Sequence, residues 1–242
     1  MSGFKHQYPP QTGHYAVKVK RGNSWKEFAS ARFHISVGQP YHEGEKFAAT
    51  MAWAKRRFEQ VIICVNDTLQ RHNYHFNGME ETAALELAQV RGNEWIDRNS
   101  RAFSNVPHVE LYRWEHWRNH PDYACQYDKI NQQYQAGRPI RKAIDDEVML
   151  FWQRRQKNGL VAAHRLGAFQ HYSTQYLIEE CAAFCVMFQQ DEAVDVYPGS
   201  VLLPCALFKN ESSLGKHGFT RIDFSRNKDF QPHRCPTPQQ TA

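Results

Sequence analysis

The sequence lacks the long apolar segments that membrane proteins and secreted precursors carry. No run of about 18 apolar residues is present, so the sequence predicts no transmembrane helix. The segment 1–12 is polar, contains proline and has no apolar core of the kind found in secretory signals. We therefore predict a cytoplasmic protein without a membrane partner.

Several motifs of common enzymes are also missing. Neither G-x-G-x-x-G nor G-x-x-x-x-G-K-[ST] occurs, so a dinucleotide site or a P-loop has no support. The G-x-S-x-G elbow of conventional serine hydrolases is absent, and so is the H-E-x-x-H pattern of zinc peptidases. The sequence therefore offers no motif support for a nucleotide-dependent enzyme, a conventional serine hydrolase or a zinc peptidase.

Cysteine is present but forms no C-x-x-C pair. Two of the six cysteines, Cys181 and Cys185, are four residues apart on a predicted helix, and that spacing suits a metal ion. Buried free thiols in a reducing compartment are the more common use of scattered cysteines. The sequence therefore predicts free thiols and no metal site.

The composition is that of a globular protein with a proper core. Hydrophobic residues make up 41% of the chain and aromatic residues 13%, and no linker divides the 242 residues. We predict a single domain over 1–242, with mobile ends at 1–12 and from about 225 to 242. The net charge of +5 suits a polyanionic partner without requiring one.

Predicted strands alternate with predicted helices along the chain. Apolar runs and period-two alternation predict strands at 14–21, 31–37, 61–65, 108–114 and 193–197. Helical periodicity predicts helices at 44–59, 78–90, 93–103, 122–136, 139–157 and 168–189, with a short helical stretch from Trp114 and Gly92 as a C′ cap after residue 90. This order favours an α/β fold with a mostly parallel sheet flanked by helices.

Ser36 follows a buried strand and precedes a glycine-containing loop. Parallel sheets place reactive groups at the carboxyl ends of their strands, so Ser36 is a candidate nucleophile. On this evidence alone, the serine equally well shapes the turn or caps the next helix.

Three further residues stand at positions that suit chemistry. Tyr176 and Glu180 are four apart on the longest predicted helix and share one face, where they would grip an ammonium group. The alternative is an amphipathic helix with Glu180 in solvent, and Glu179 points about 100° away as a natural control. Tyr197 ends a strand before Pro198, where it could also be an apolar lid on the core.

These pieces resemble the cyclodipeptide synthase family when they are taken in order. The matching segments are His34-Ile35-Ser36-Val37-Gly38-Gln39, Asp67-Thr68-Leu69-Gln70-Arg71-His72-Asn73, Tyr176-x-x-x-Glu180 and Tyr197-Pro198-Gly199. The resemblance covers roughly residues 30 to 210, and Gln39 with Tyr197-Pro198 places the chain in the branch marked by Tyr-Pro.

The resemblance implies a Rossmann-like domain similar to the catalytic domain of class I tyrosyl- and tryptophanyl-tRNA synthetases. It also implies that two aminoacyl-tRNAs are converted to a cyclic dipeptide, without ATP, metal or another cofactor, by a protein that is commonly a monomer. Ser36 would become aminoacylated and then dipeptidylated, Tyr176 and Glu180 would hold the α-amino group, and Tyr197 would orient the ester or relay a proton. The group that deprotonates Ser36 stays open, and a ribose hydroxyl of the leaving tRNA is one possibility.

Residues for the substrate side chain and for tRNA are weaker predictions. Strand alternation puts Arg32 and His34 on the same side as Ser36, either lining the first substrate pocket or forming an internal salt bridge. The further pocket candidates are Gln39, Asp67 and Pro198, and the tRNA-binding candidates are Arg91, Arg98, Arg101, Arg154 and Arg155. Solvated helix faces remain the alternative for the last two arginines.

Two functions from other classes stay open at this point. A synthetase-like module that binds tRNA without catalysis needs none of the four candidate catalytic residues. A hydrolase that deacylates aminoacyl-tRNA would release a free amino acid rather than a cyclic dipeptide.

Overall fold

One six-stranded sheet organises the computed structural model, which describes residues 14–21, 24–190, 192–199 and 218–226. The strand order is β1-β6-β5-β2-β3-β4. The strands are β1 (Tyr15–Arg21), β2 (Ser30–Ser36), β3 (Gln60–Asn66), β4 (Val109–Arg113), β5 (Ala193–Tyr197) and β6 (Gly218–Arg226). The strands β6, β5, β2, β3 and β4 run parallel, and β1 pairs antiparallel with β6 at one edge. The predicted α/β, Rossmann-like fold is confirmed.

Helices cover both faces of this sheet. They are α1 (Gly44–Lys55), α2 (Arg71–Phe76), α3 (Glu81–Phe103), α4 (Trp114–Arg118), α5 (Tyr123–Gln135), α6 (Pro139–Lys157) and α7 (Leu166–Gln190). One hydrophobic core lies between the sheet and α1 with α3, and the other lies on the face covered by α4 to α7. None of the helices in the described ranges is long and apolar enough to cross a membrane.

Strand β2 sends alternate side chains into these two cores. Ala31, Phe33 and Ile35 pack in the core that contains residues of α1 and α3. Because side chains alternate along a strand, Arg32, His34 and Ser36 point to the opposite face, which α7 covers. Charged side chains therefore enter an interior made mostly of apolar residues.

Helix α3 corrects one sequence-based prediction. The two predicted helices at 78–90 and 93–103 are one continuous helix, and Gly92 is buried within it rather than capping an end. A Cβ at Gly92 would lie 2.7 Å from Cβ of Asp67 and 2.9 Å from Nη2 of Arg113. The glycine is thus explained by close packing against the loop after β3, not by a helix terminus.

The carboxyl-terminal part of the described chain gives a second correction. Strand β5 is not the last strand, because β6 follows it and extends to Arg226, into the segment from about 225 that we expected to be mobile. The predicted mobile segment 1–12 and residues 227–242 lie outside the described residues, as do Cys205 and Cys235. Cys64, Cys181 and Cys185 are buried, reduced cysteines, and Cys125 is exposed.

Candidate active site

The ends of β2 and β5 bring Ser36 and Tyr197 together. The two strands pair in parallel, with Phe33 opposite Val196, so their last residues lie at the same edge of the sheet. The Ser36 Oγ and the Tyr197 hydroxyl are 3.0 Å apart, which is a hydrogen bond in which either oxygen is able to donate. The alternative of Tyr197 as a purely apolar lid does not fit this contact.

The backbone after Ser36 turns sharply and carries a second phenol back to the first. Gly38 adopts a φ of +86°, a conformation that favours glycine, and a short 3-10 helix follows at Pro40–His42. The Tyr41 hydroxyl then lies 2.9 Å from the Tyr197 hydroxyl. Three hydroxyl groups therefore form a continuous chain from Ser36 through Tyr197 to Tyr41.

His42 holds the backbone of Ser36 in place. The Ser36 N–H donates to Nδ1 of His42 at 2.8 Å, and Nε1 of Trp95 donates to the His42 carbonyl at 2.8 Å. Burial of the ring lowers the pKa of His42 to about 3, so the imidazole is neutral at physiological pH. Since Nδ1 accepts a hydrogen bond, the proton of the neutral ring is on Nε2.

Neither Tyr41 nor His42 was among the residues predicted from the sequence. The available signal was weak, because an aromatic pair a few residues beyond a candidate nucleophile is common in loops. Their importance follows from hydrogen bonds that only the folded loop reveals.

Helix α7 supplies the other half of the site. Glu180 is only 7% exposed, which rules out the alternative of a solvent-facing carboxylate. Burial, followed by the negative charges of Glu147 and Glu179, raises the pKa of Glu180 to about 8. Its Oε2 atom has no hydrogen-bond partner among the described residues. A buried carboxyl group with a free oxygen suits a ligand that brings a positive charge and N–H donors.

Tyr176 lies within electrostatic range of both this carboxyl group and Tyr197. Its hydroxyl accepts a hydrogen bond from Nε2 of Gln70 at 3.3 Å. The pKa of Tyr176 is raised well above its ordinary value by burial, then by the charges of Glu180 and Tyr197. These electrostatic contacts mean that the fold brings together the four residues predicted as catalytic: Ser36, Tyr176, Glu180 and Tyr197.

The neighbouring Glu179 has a structural role that makes it unsuitable as a neutral control. Its carboxylate accepts from Nη1 of Arg71 at 2.9 Å, from Nε1 of Trp114 at 2.7 Å and from the second Arg71 nitrogen. Nε2 of His72 lies 3.1 Å away. Although burial opposes ionisation, these hydrogen bonds and charges lower the pKa of Glu179 to about 2. The carboxylate is a fixed charge that ties α7 to α2 and α4.

Arg32 and His34 form the internal salt bridge that was one of the two alternatives. Nη1 of Arg32 donates to Oδ1 of Asp195 at 2.9 Å, and Nε2 of His34 lies 2.7 Å from the same oxygen. A second Arg32 nitrogen donates to the Met187 carbonyl at 3.2 Å. The Arg32, His34 and Asp195 side chains are all buried. An acidic substrate side chain is therefore not needed to neutralise Arg32.

The other pocket candidates take different positions. Asp67 is fully buried and is bound to the protein itself, since it accepts from the Thr68 N–H at 2.8 Å and from Nε of Arg113 at 2.5 Å. These contacts give Asp67 a structural role at the ends of β3 and β4, and its place in a substrate pocket stays a prediction. Gln39 is exposed, and its N–H donates to the Ser36 carbonyl at 3.1 Å, while Pro198 is half-buried next to Tyr197.

The Tyr197-Pro198-Gly199 segment has a steric explanation. A Cβ at Gly199 would lie 3.0 Å from Cδ1 of Tyr197, tighter than ordinary packing allows. The glycine therefore leaves room for the phenol ring that reaches Ser36.

Helix α3, which carries three of the arginine candidates, packs against the loop that carries Tyr41 and His42. Asn99 accepts from the Gly44 N–H at 3.1 Å, and Trp95 bonds His42. Two arginines of this helix pair with glutamates: Arg91 with Glu94 at 2.8 Å and Arg98 with Glu43 at 3.0 Å.

The remaining arginine candidates differ in exposure. Arg101 on α3 and Arg154 on α6 are exposed. Arg155 is half-buried, with its guanidinium 5.7 Å from the ring centre of Phe169 and a hydrogen bond of 3.4 Å to Asn73. Exposed cations are the better candidates for contacts with phosphate.

Within the described ranges, no group of three or more His, Cys, Asp or Glu side chains is arranged to hold a metal ion. The strand-end serine, the three phenols and the buried carboxyl group are organic acids, bases and nucleophiles. Such a set is suited to acyl transfer.

The family model described as "Cyclodipeptide synthase" matches residues 20–218. The chain belongs to the cyclodipeptide synthase family. Among solved structures, a cyclodipeptide synthase from Fluoribacter dumoffii is similar at 27% sequence identity, with a TM-score of 0.80 over 88% of this chain and 99% of that one. No curated protein matches the chain.

More distant cyclodipeptide synthases share the fold. One is a Mycobacterium tuberculosis protein described as related to type I tRNA synthetases, at 13% identity and a TM-score of 0.62, covering 92% of this chain and 98% of that one. Another is the enzyme of Candidatus Glomeribacter gigasporarum bound to Phe-tRNAPhe, at 15% identity and a TM-score of 0.62, covering 88% and 92%. The predicted relation to class I synthetase domains is confirmed at the level of the fold.

Proposed function

We propose that this member of the cyclodipeptide synthase family joins two aminoacyl groups from aminoacyl-tRNAs into a cyclic dipeptide, with Ser36 as the covalent carrier. One observation supports this proposal above the others. The Ser36 Oγ lies in a hydrogen-bonded chain with Tyr197, and the same site contains a buried carboxyl group with an unpartnered oxygen.

The first step is transfer of an aminoacyl group to Ser36. The Oγ attacks the ester carbonyl, the bond to the ribose oxygen breaks, and the serine proton ends on that oxygen as the tRNA leaves. The neighbouring ribose hydroxyl is suited to pass this proton on. The ester is already activated, so this chemistry needs no ATP.

Glu180 and Tyr176 hold the α-amino group of the bound amino acid. Burial opposes a charge on Glu180 in the empty site, and a substrate ammonium group compensates for it. The second aminoacyl group then joins the first through its amine, and the product remains on Ser36 as a dipeptidyl ester. Attack of the free amine on that ester closes the ring and releases Ser36.

The first substrate side chain would lie over the face of β2 that carries Arg32 and His34. In this proposal, the hydrogen bonds from Arg32 and His34 to Asp195 form a polar wall, and Arg32 is not a free positive charge. The Oδ2 atom of Asp195 and Nδ1 of His34 have no hydrogen-bond partner among the described residues. A polar substrate side chain would satisfy such atoms, and Gln39 and Pro198 would border the opening.

Transfer RNA would be bound by basic residues around α3 and the end of α6. The exposed cations Arg101 and Arg154 are the primary candidates, with Arg91, Arg98 and Arg155 as further contacts. The Glomeribacter relative bound to Phe-tRNAPhe supports this substrate class for a protein of the same fold.

The decisive experiment is mass spectrometry of the medium and cell extract after expression in bacteria. We expect a cyclic dipeptide with the wild-type protein, none with Ser36→Ala, and an unchanged amount with Ser100→Ala, which removes an exposed hydroxyl bonded to its own helix. Free amino acid released from aminoacyl-tRNA would instead identify a hydrolase. Binding of tRNA without either product would identify a non-catalytic module.

A further inference from the structure

The hydroxyl chain extends one residue beyond those that the proposed mechanism uses. Tyr41 contacts neither Ser36 nor the carboxyl group of Glu180 by any hydrogen bond of its own, yet its hydroxyl is 2.9 Å from that of Tyr197. Tyr197 in turn is 3.0 Å from the Ser36 Oγ. Both phenols are half-buried, and the rings meet edge to face with centres 6.0 Å apart.

We propose that Tyr41 is a positioning residue that feeds protons through Tyr197 to the Ser36 oxygen during ring closure. This inference rests on the proposed function, because ring closure is a step of that reaction.

The direction of hydrogen bonding in the chain explains why a third hydroxyl matters. Each phenol has one proton to donate, so a donation by Tyr41 to Tyr197 leaves the Tyr197 proton for Ser36. In the opposite arrangement, Ser36 donates to Tyr197 and Tyr197 donates to Tyr41. Only the first arrangement offers a proton to the Ser36 oxygen, and a leaving serine oxygen needs such a proton during ring closure.

The proton balance of ring closure fits this arrangement. The amine nitrogen bonds to the ester carbonyl carbon, and the bond from that carbon to the Ser36 Oγ breaks. Oγ takes the Tyr197 proton, Tyr197 takes the Tyr41 proton, and Tyr41 takes one from water. The amine gives up one proton, to Glu180 or to solvent, so one proton enters the site and one leaves.

The environment keeps both phenols in the form that a relay requires. Burial raises the pKa of Tyr197 far above its ordinary value, and burial also raises the pKa of Tyr41. Both groups therefore stay protonated and pass protons in concert rather than as phenolates. His42 packs against both rings, with centres 4.6 Å from Tyr41 and 5.4 Å from Tyr197, and it stays neutral.

The test compares Tyr41→Phe with the wild-type enzyme in single-turnover reactions with aminoacyl-tRNA. Phenylalanine retains the ring packing and removes only the hydroxyl. We expect aminoacyl-Ser36 to form at the wild-type rate, while release of the cyclic product slows on the order of 10-fold and dipeptidyl-enzyme accumulates. The solvent deuterium isotope effect on release should change as well. Tyr112→Phe is the matched control, since its hydroxyl bonds Glu110 away from the relay.

A double-mutant cycle with Tyr197→Phe separates the relay from simple packing. Because the relay is already cut in Tyr197→Phe, adding Tyr41→Phe should have almost no further effect. Equal losses from Tyr41→Phe in both backgrounds, or product release within twofold of wild type, would overturn the inference. A wild-type protein that makes no cyclic dipeptide would instead reject the proposed function itself.

Discussion

The carboxyl group of Glu180 lies in surroundings that oppose its ionisation. Besides burial, the acidic groups that face it are Glu147 from α6, Glu179 and Tyr176 from α7, and Tyr197 from β5. The charge of Glu147 raises the pKa of Glu180 more than the charge of Glu179 does, although Glu179 is the direct neighbour of Glu180 in the sequence. Arg71 compensates the carboxylate charge of Glu179, and this pairing reduces the effect of that charge on Glu180.

Glu147→Gln should shift the pH dependence of catalysis downward. The empty enzyme holds a proton on Glu180 up to about pH 8, and the carboxylate that we propose to bind the substrate ammonium group forms above that pH. We therefore expect kcat/KM of the wild type to rise with pH through this region. Removing the Glu147 charge lowers the pKa of Glu180 and moves the rise to lower pH.

The matched control for this experiment is Asp146→Asn on the same helix. Asp146 pairs with Lys142 at 2.5 Å on the exposed side, so its removal makes the same change in net charge. Its pH profile should follow the wild type. An unchanged profile in Glu147→Gln would contradict the assignment.

The buried ion pair between Arg32 and Asp195 makes a prediction about stability. Arg32→Leu leaves Asp195 without its strongest partner inside the fold, which should cost about 3–5 kcal/mol of unfolding free energy. Combining it with Asp195→Asn removes the uncompensated charge and should recover more than half of the loss. Urea unfolding measures both. A loss below about 1 kcal/mol in the single variant is incompatible with this assignment.

The same double variant also tests the polar wall of the proposed first pocket. If Arg32, His34 and Asp195 read the substrate, the identity of the cyclic dipeptides made by the double variant should change. Unchanged products would remove these residues from the pocket.

Helix α3 packs closely against the loop after β3 because Gly92 has no side chain. Its buried Gly92 admits the loop that follows β3, and that loop is fixed by Asp67, which also bonds Arg113 at the end of β4. The packing of one helix against two strand ends therefore depends on a missing side chain.

Gly92→Ala should destabilise the protein by about 1–3 kcal/mol, even though alanine favours helices. The new methyl group would meet Asp67 and Arg113 at less than contact distance. Gly167→Ala is the control, because Gly167 is an exposed helical glycine with open space around its Cβ position. That variant should be neutral or slightly stabilised in urea unfolding. Equal effects at both positions would refute the packing explanation.

The elements that could be predicted from the sequence are those with strong local patterns. Strand β3 is a continuous apolar run, β2 has apolar residues at alternate positions, and α7 has a long helical period, so the predicted positions of these three elements were confirmed. Strand β6 was missed because its last residues are polar and partly exposed to solvent. Gly92 was misread because its cause is a tertiary contact. Tyr41 and His42 were missed because their hydrogen bonds depend on how one loop folds.

For the whole molecule, the positive net charge predicts that KM for aminoacyl-tRNA rises steeply with salt concentration. If Arg101 contacts a tRNA phosphate, Arg101→Ala should raise KM for aminoacyl-tRNA and reduce the slope of log KM against log salt by about 1. Lys55→Ala is the control. Lys55 ends α1 just before the amino-terminal end of β3, whereas the candidate active site lies at the carboxyl ends of the strands. The KM values of the two variants for aminoacyl-tRNA should differ clearly at low salt. Identical salt slopes would exclude Arg101 as a contact.

The hydrogen bond between Ser36 and Tyr197 joins residues separated by 161 positions in the chain. Contacts of such separation form late, because a long loop must close before they contribute any stability. During synthesis, the strand that carries Tyr197 leaves the ribosome long after the strand that carries Ser36. A nascent or truncated chain therefore exposes the serine without its phenol partner. Under the proposed function, acyl transfer to Ser36 should begin only after Tyr197 has left the ribosome, although aminoacyl-tRNA surrounds the growing chain throughout.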